Sequence, residues 1–532
     1  MASNADRLKA DYVIIGGGSA GLVLANRLSE DPGTTVILVE AGGESKDFMV
    51  QLPAGFGKLV GNKERDWRYE QEPDPSINDR QTIWSAGKML GGGSSINGQV
   101  YIRGTKRDYD HWQETGADGW SYDELLPYFR RLEGWYGEPD QIHGESGPLS
   151  VGPMRDPHPF VDYFLQACAD TGLPTLPRPN DGRMEGAFET VTSQRDGWRC
   201  STEKAYLRPA RHRANLTVLT QAEVKTVRVV DGRSVGVRGQ RAGEAIDIDA
   251  NREVILCAGA MGSPGLLLRS GIGDAATLTA SGIDVVHHLA GVGRNLQEHN
   301  NIRVSKHVAQ PTLNSDLGTW RMVRHALRFG LARKGILSSP IVQAMALAKT
   351  DPDLDEPDVQ LHFVPLCMDM DPATMKPGKD WAVTMAATIC HPRTRGHIEL
   401  AADGRPKVVH RYLGEERDLD TLIDGCRLIE RVFAAPAFAP LLRGNRKPDP
   451  TPRTRDEWTD FLRETSSAAF HPVGTCRMGV DDEAVVDPAL RVRGLRGLRV
   501  VDASVMPRIT STNTNATTIM IAERAADLIR QR

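Results

Sequence analysis

The sequence predicts an α/β protein of two domains. One is assembled from the beginning, middle and end of the chain, and the other is inserted between those stretches. Three observations predict this. A strand, a glycine turn, a helix and a second strand follow one another at the start. Short apolar runs of strand character recur near residues 255 and 499, and the residues between them show alternating polarity instead. At 532 residues the chain also exceeds one ordinary core.

The opening unit is the most legible. Asp11 to Ile15 reads as a buried strand, Gly16-Gly17-Gly18-Ser19-Ala20-Gly21 follows directly, and Leu22 to Leu28 has a helical apolar pattern. Thr34-Thr35 then lead into Val36 to Val39, a strand ending on the acid Glu40 and followed by Ala41. Gly16 permits the tight turn, Gly18 lets the backbone approach a pyrophosphate, and Gly21 packs the helix against the sheet. Free N–H groups at the helix start, around Ser19 and Ala20, face the phosphates, where the helix dipole favours negative charge. Glu40 stands nineteen residues after Gly21, placed to accept hydrogen bonds from a ribose diol. This is the Rossmann-like arrangement for a dinucleotide.

Gly17 to Gly21 also fits G-x-S-x-G, the nucleophile elbow of hydrolases. That alternative makes Ser19 a nucleophile served by His471. It leaves Glu40 without a role, and an elbow normally follows several earlier strands.

Two further strand candidates complete the first domain. Val254 to Cys257 is followed by Ala258-Gly259-Ala260 and a helical stretch from Pro264 to Arg269, and Leu498 to Val501 ends on Asp502. The first domain therefore takes residues 1–155, 200–305 and 468–532, and the second takes 156–199 and 306–467. Alternating stretches such as Val359 to Phe363 and His397 to Leu400 suit strands with one buried face. The second domain is thus expected to be α+β, with a largely antiparallel sheet roofing the nucleotide.

Composition narrows the classes. Hydrophobic content of 40% and charged content of 25% are those of a globular protein, and a net charge of −4 argues against nucleic acid as partner. The arginine-rich stretches at 208–213 and 491–499 read as solvated faces. Seven scattered cysteines without a C-x-x-C pair suggest reduced thiols and a cytoplasmic setting. No apolar run reaches the roughly 18 residues that span a bilayer, so only peripheral contact with the inner membrane stays open. No histidine, cysteine or acid cluster has metal-ligand spacing, and no metal is expected.

Six segments carry a resemblance. They are Gly16 to Gly21 with Glu40, Gly87 to Gly98, Gly259 to Pro264, Gly291 to Leu296, His471 to Gly479, and Val501 to Ser504 with Asn513-Thr514-Asn515. In this order, over nearly the whole chain, they resemble the glucose–methanol–choline family of FAD-dependent oxidoreductases, and most of all its bacterial choline, alkanol and sorbose dehydrogenases. The resemblance implies FAD, with Gly92, Asn97 and Gly98 along the flavin, Val224 by the adenine, Asp502 and Ala503 near the ribityl–pyrophosphate, and Thr514 as a further cofactor-binding residue. Some relatives attach FAD covalently through a histidine where this chain has Ile96, so non-covalent FAD is expected.

The same resemblance implies oxidation of an alcohol, by proton abstraction and hydride transfer to the flavin. His471 matches the family's catalytic histidine, and an imidazole titrates in the right range for a base. Asn513 matches the second catalytic position, where an amide can donate to a developing alkoxide; its alternative is a helix cap before Ala516 to Ala526. Asn515 reads as a cap or flavin contact, and His362 as a candidate for the pocket wall. A primary alcohol, aliphatic or aromatic, is the expected substrate, with choline and sugar alcohols as alternatives. The expected acceptor is a quinone or dye for a dehydrogenase, or dioxygen for an oxidase.

Overall fold

The computed structural model describes residues 8–183, 185–371 and 374–531. Its first sheet has seven strands. Their spatial order is Leu216–Leu219, Val36–Val39, Leu8–Ile15, Glu244–Leu256, Arg233–Arg241 and Ala222–Val230, with Leu498–Val500 also pairing on Glu244–Leu256. The long strand Glu244–Leu256 serves two neighbours on one edge: residues 244–249 run antiparallel to 236–241, and residues 254–256 run parallel to 498–500. The strands from the start, middle and end of the chain therefore lie side by side. Val13, Ile14, Val36, Leu38, Val254 and Ile255 are fully or almost fully buried between covering layers, as parallel strands require. The first helix, Ser19–Leu28, packs against the last, Asn515–Arg530, on this core.

The second sheet also has seven strands, and all its pairings are antiparallel. Its order is Leu442–Lys447, Asn300–Val308, Ala382–Ile389, Val359–Val364, Ala344–Ala348 and Gly186–Glu189, with Ser467–Ala468 on Asn300–Val308. The boundary expected between residues 305 and 306 falls inside the strand Asn300–Val308, so the chain enters this sheet earlier.

The alternation in this sheet has a different cause from the one expected. Val359, Leu361 and Phe363 join Val383, Met385 and Ala387 in a core with helices Phe160–Asp170 and Glu416–Ala434. The opposite face carries Gln360, His362, Thr384, Thr388 and Ser305, which are polar and equally buried. Both faces are covered, and the second is mixed, since Met345 and Leu347 beside His362 and Gln360 are fully buried as well. His397–Leu400 is not part of this roof; it pairs only with Pro406–Val409 in a separate ribbon.

The arginine stretches are solvated in part: Arg208, Arg491 and Arg496 are exposed, and others are not. Arg499 is buried against Glu253, Arg211 pairs with Glu44, and Arg213 donates to the Asn26 carbonyl. Among the described residues no helix is long and apolar enough to cross a membrane.

Candidate active site

The glycine turn is built for close approach. Gly16 has φ +101°, and a Cβ there would meet the Cys257 carbonyl oxygen at 2.5 Å. A Cβ on Gly21 would stand 2.0 Å from the Gly16 oxygen, so helix and turn can pack only through glycine. Gly18 differs: the nearest atoms to its Cβ position lie at 3.9 Å, which leaves a groove. A Cβ on Gly93 or Gly259, at the starts of two other helices, would have nothing within 4 Å.

Glu40 is buried at the end of its strand. Its Oε2 accepts from the Gly17 N–H and its Oε1 from the Gly42 N–H, both at 2.7 Å. Burial raises its pKa against the pull of those two donors. An ionised carboxylate offers about four acceptor sites, so two stay available for a diol. The Glu40 carbonyl accepts from Ala222, which brings the strand bearing Val224 to the same end of the groove; Ala41 lies between Glu40 and Gly42.

Asn97 ends the short helix Gly93–Ile96, and its side-chain oxygen accepts from Arg199 at 2.9 Å and from the Gln99 N–H at 3.1 Å. Arg199 is a buried cation missed in the sequence. It also donates to the Val50 and Asn97 carbonyls, its second terminal nitrogen has no partner, and burial pulls its pKa to about 9. A Cβ on Gly98 would sit in ordinary contact with Ile341, at 3.5 Å.

Asp502 joins two elements. It accepts from Gly259 N–H and the Ser263 hydroxyl with one oxygen and from Ser504 N–H with the other, and burial raises its pKa. Ala503 begins the short turn of helix after it.

At the end of the chain, Asn513 and Asn515 part company. Thr514, rather than Asn513 or Asn515, is the cap of the last helix, and it makes no side-chain capping bond. Asn515 accepts from the Ser19 hydroxyl at 2.7 Å, so Ser19 is given to an amide and not to a histidine. This removes the nucleophile-elbow reading. Asn513 instead sends its Nδ2 to His471 Nε2 at 2.9 Å, while its buried Oδ1 has no partner.

His471 is held on three sides. Its backbone N–H donates to both oxygens of Glu298, at 2.8 and 2.9 Å, and its Nδ1 lies 2.9 Å from Nδ1 of His299. His299 is fully buried, and its Nε2 faces two carbonyl oxygens, Cys390 at 3.0 Å and Thr510 at 3.1 Å. Carbonyls only accept, so His299 Nε2 carries the hydrogen. Burial pulls the pKa of His299 to about 3, so the ring is neutral and its Nδ1 is a bare acceptor. The hydrogen between the two rings therefore sits on His471 Nδ1. Nε2 of His471 is left bare towards the Asn513 amide, and burial with the neighbouring His299 and His362 holds the pKa of His471 well below 6.5. Neither Glu298 nor His299 was singled out in the sequence.

Behind Asn513, Asp108 accepts from the Ser511 N–H at 2.9 Å and its hydroxyl at 2.8 Å, and lies 2.7 Å from His391 Nε2. Asp108, His391 and Glu356 come close enough to share an ion, although no such spacing is visible in the sequence. Both Asp108 oxygens are already engaged by these groups and the Thr105 N–H, so the cluster serves as a clamp on the segment before Asn513.

The site thus has a glycine turn ending on a buried carboxylate, and an imidazole paired with an amide. Family models described as GMC oxidoreductase match residues 10–301 and 392–522. A GMC-type oxidoreductase of Mycobacterium tuberculosis is 40% identical over 98% of this chain and 99% of its own length. An oxygen-dependent choline dehydrogenase of Vibrio vulnificus is 37% identical over 98% and 94%. Among solved structures, a pyridoxine 4-oxidase from Mesorbium loti superposes with a TM-score of 0.89 at 30% identity, covering 98% of this chain and 99% of that one.

The chain belongs to the GMC oxidoreductase family, and it is an FAD-dependent oxidoreductase acting on CH–OH donors. Its residues fit the cofactor: the groove at Gly18, the free acceptor positions of Glu40 and the unpartnered Oδ1 of Asn513 are features that a bound group would fill. Ile96, a hydrocarbon side chain, suits non-covalent FAD.

Proposed function

We propose that the chain oxidises an uncharged primary alcohol to the aldehyde, with His471 as base and Asn513 as the group that holds the substrate oxygen. The observation carrying this reading is the relay from the Cys390 and Thr510 carbonyls through His299, which leaves Nε2 of His471 bare. A bare, neutral Nε2 can take the hydroxyl proton. One N–H of the Asn513 amide points at that nitrogen, and the other can donate to the oxygen as it gains charge. FAD, when bound, supplies the two-electron acceptor for the hydrogen on the alcohol carbon.

Glu40, Ala41, Val224, Gly16, Gly18, Ser19, Ala20, Gly21, Gly92, Asn97, Gly98, Asp502, Ala503 and Thr514 are the residues that would hold FAD. Room for a Cβ at Gly18 and open space at Gly93 support this assignment. An uncharged substrate is favoured because the carboxyl beside the base is not a free anion. Burial pushes Glu298 up to about 8, and both its oxygens are bound to the His471 N–H. The similarity to choline dehydrogenases supports choline as the second reading. The electron acceptor in this reading is a quinone or a dye, with dioxygen as the alternative.

The test is an anaerobic flavin spectrum before and after addition of single alcohols, choline included. Bleaching by an uncharged primary alcohol is the expected result, and bleaching by choline alone overturns the substrate assignment. Admission of air then separates the two acceptors by the speed of recolouring. FAD should leave the protein on acid precipitation; retention would contradict non-covalent binding.

A further inference from the structure

Helix Thr319–Ala332 turns its apolar stripe outward. Trp320 is 87% exposed, Val323 49%, Leu327 62% and Leu331 88%. Their spacing of three, four and four residues puts them on one face, spanning about 16 Å at the helical rise. The helix is not turned this way for want of a docking face. His325 and Phe329 point inward and are 4% exposed, Phe329 meets the edge of Trp198 with centroids 4.8 Å apart, and Arg333 lies over both rings. The exposed stripe is thus a second, unpartnered face on an anchored helix. Phe48, 59% exposed and edge-on to the same Trp198, extends the apolar surface.

The flank of the stripe is cationic. Arg321, Arg324 and Arg328 follow one another along one side of it, Lys334 lies just beyond the end, and the chain has no acid from residue 317 to residue 350. Arg328 reaches Asp156 and is still half exposed. A second copy of this chain would set this cationic flank against itself, which like charges oppose. At 14 residues the helix is too short to span a bilayer, which takes about 20. Tryptophan and leucines on one side with arginines beside them suit a helix lying in a lipid interface, where anionic headgroups meet the cations.

We propose that this helix docks the enzyme on an anionic lipid surface, burying Trp320, Val323, Leu327 and Leu331 among the acyl chains while Arg321, Arg324 and Arg328 engage headgroups. From its end the chain runs through Ile336–Ser338 to Ile341, which lies beside Gly98.

The test is flotation of the FAD-loaded enzyme with vesicles of phosphatidylcholine alone, or mixed with phosphatidylglycerol. The wild type should float with the mixed vesicles and much less with the neutral ones. The triple variant Trp320→Glu, Leu327→Glu, Leu331→Glu should lose at least about tenfold in binding, the scale set by the buried apolar area. The variant Arg321→Gln, Arg324→Gln, Arg328→Gln should lose the preference for phosphatidylglycerol. Both should keep flavin and dye-linked turnover, which shows that they fold. The proposal is overturned by wild-type enzyme that ignores both vesicles or binds them equally, or by a glutamate variant that binds as the wild type does. Wild-type dimers that the glutamate variant splits, without vesicle binding, would assign the face to a second copy instead.

Discussion

His299 and His471 face each other through their Nδ1 atoms at 2.9 Å, and only one of them can carry the hydrogen between them. The two carbonyls on the far side of His299 decide which. Their choice passes across both rings and presents the bare nitrogen of His471 to Asn513.

This relay predicts graded losses at position 299. His299→Asn puts an amide oxygen where Nδ1 was and keeps an acceptor for His471. His299→Leu removes it and leaves the tautomer of His471 unassigned. Turnover in the leucine variant should fall on the order of 10²-fold, with the asparagine variant well above it and flavin content equal in both. Equal losses in the two would mean that His299 acts only by filling space.

The pH profile follows from the direction of the His471 shift. Only the neutral ring can accept a proton, and a lowered pKa extends the neutral form to more acidic solution. The acid limb of kcat/KM should therefore lie below 6.5, with a plateau above it. A limb centred above 6.5 would contradict the assignment.

Glu298 predicts a stability effect of opposite sense to the usual carboxylate. Its folded pKa, about 8, stands above the ordinary 4.5. Between those values the folded chain holds a proton that the unfolded chain has released, so this contribution to stability is present at low pH and lost as pH rises through 8. Glu298→Gln removes the titration and keeps an acceptor for the His471 N–H. Its melting temperature should fall less steeply than that of the wild type from pH 5 to 8, and parallel curves would refute the shift.

Two glycines of one turn should fail differently. A methyl at Gly21 collides with backbone at 2.0 Å, so Gly21→Ala should not yield folded protein. A methyl at Gly18 meets nothing closer than 3.9 Å, so Gly18→Ala should fold, with circular dichroism unchanged, and bind FAD at least about tenfold more weakly where pyrophosphate contacts the backbone. Normal FAD affinity in Gly18→Ala would move the cofactor out of this groove.

The first strand, turn and helix were legible because their chemistry is local: Gly16, Gly21 and Glu40 act within one short unit. His299 was not, because its meaning comes from Cys390, His471 and Thr510, which only the fold brings to it. Val359 to Phe363 shows a second limit. Alternation reports two unlike faces, and it does not distinguish a face turned to water from a buried one such as that carrying Gln360 and His362. Asn513 shows a third, since an asparagine just ahead of a helix suits a cap, yet here the cap is Thr514 and the amide turns to His471.

The most direct test of the central claim is the rate at which the best alcohol reduces bound flavin, without oxygen and in a single turnover, in wild type and His471→Ala. With a base at Nε2, reduction in the variant should be about 10²- to 10⁴-fold slower while flavin content stays equal. Reduction at the wild-type rate would show that the proton leaves by another route and that His471 is not the base.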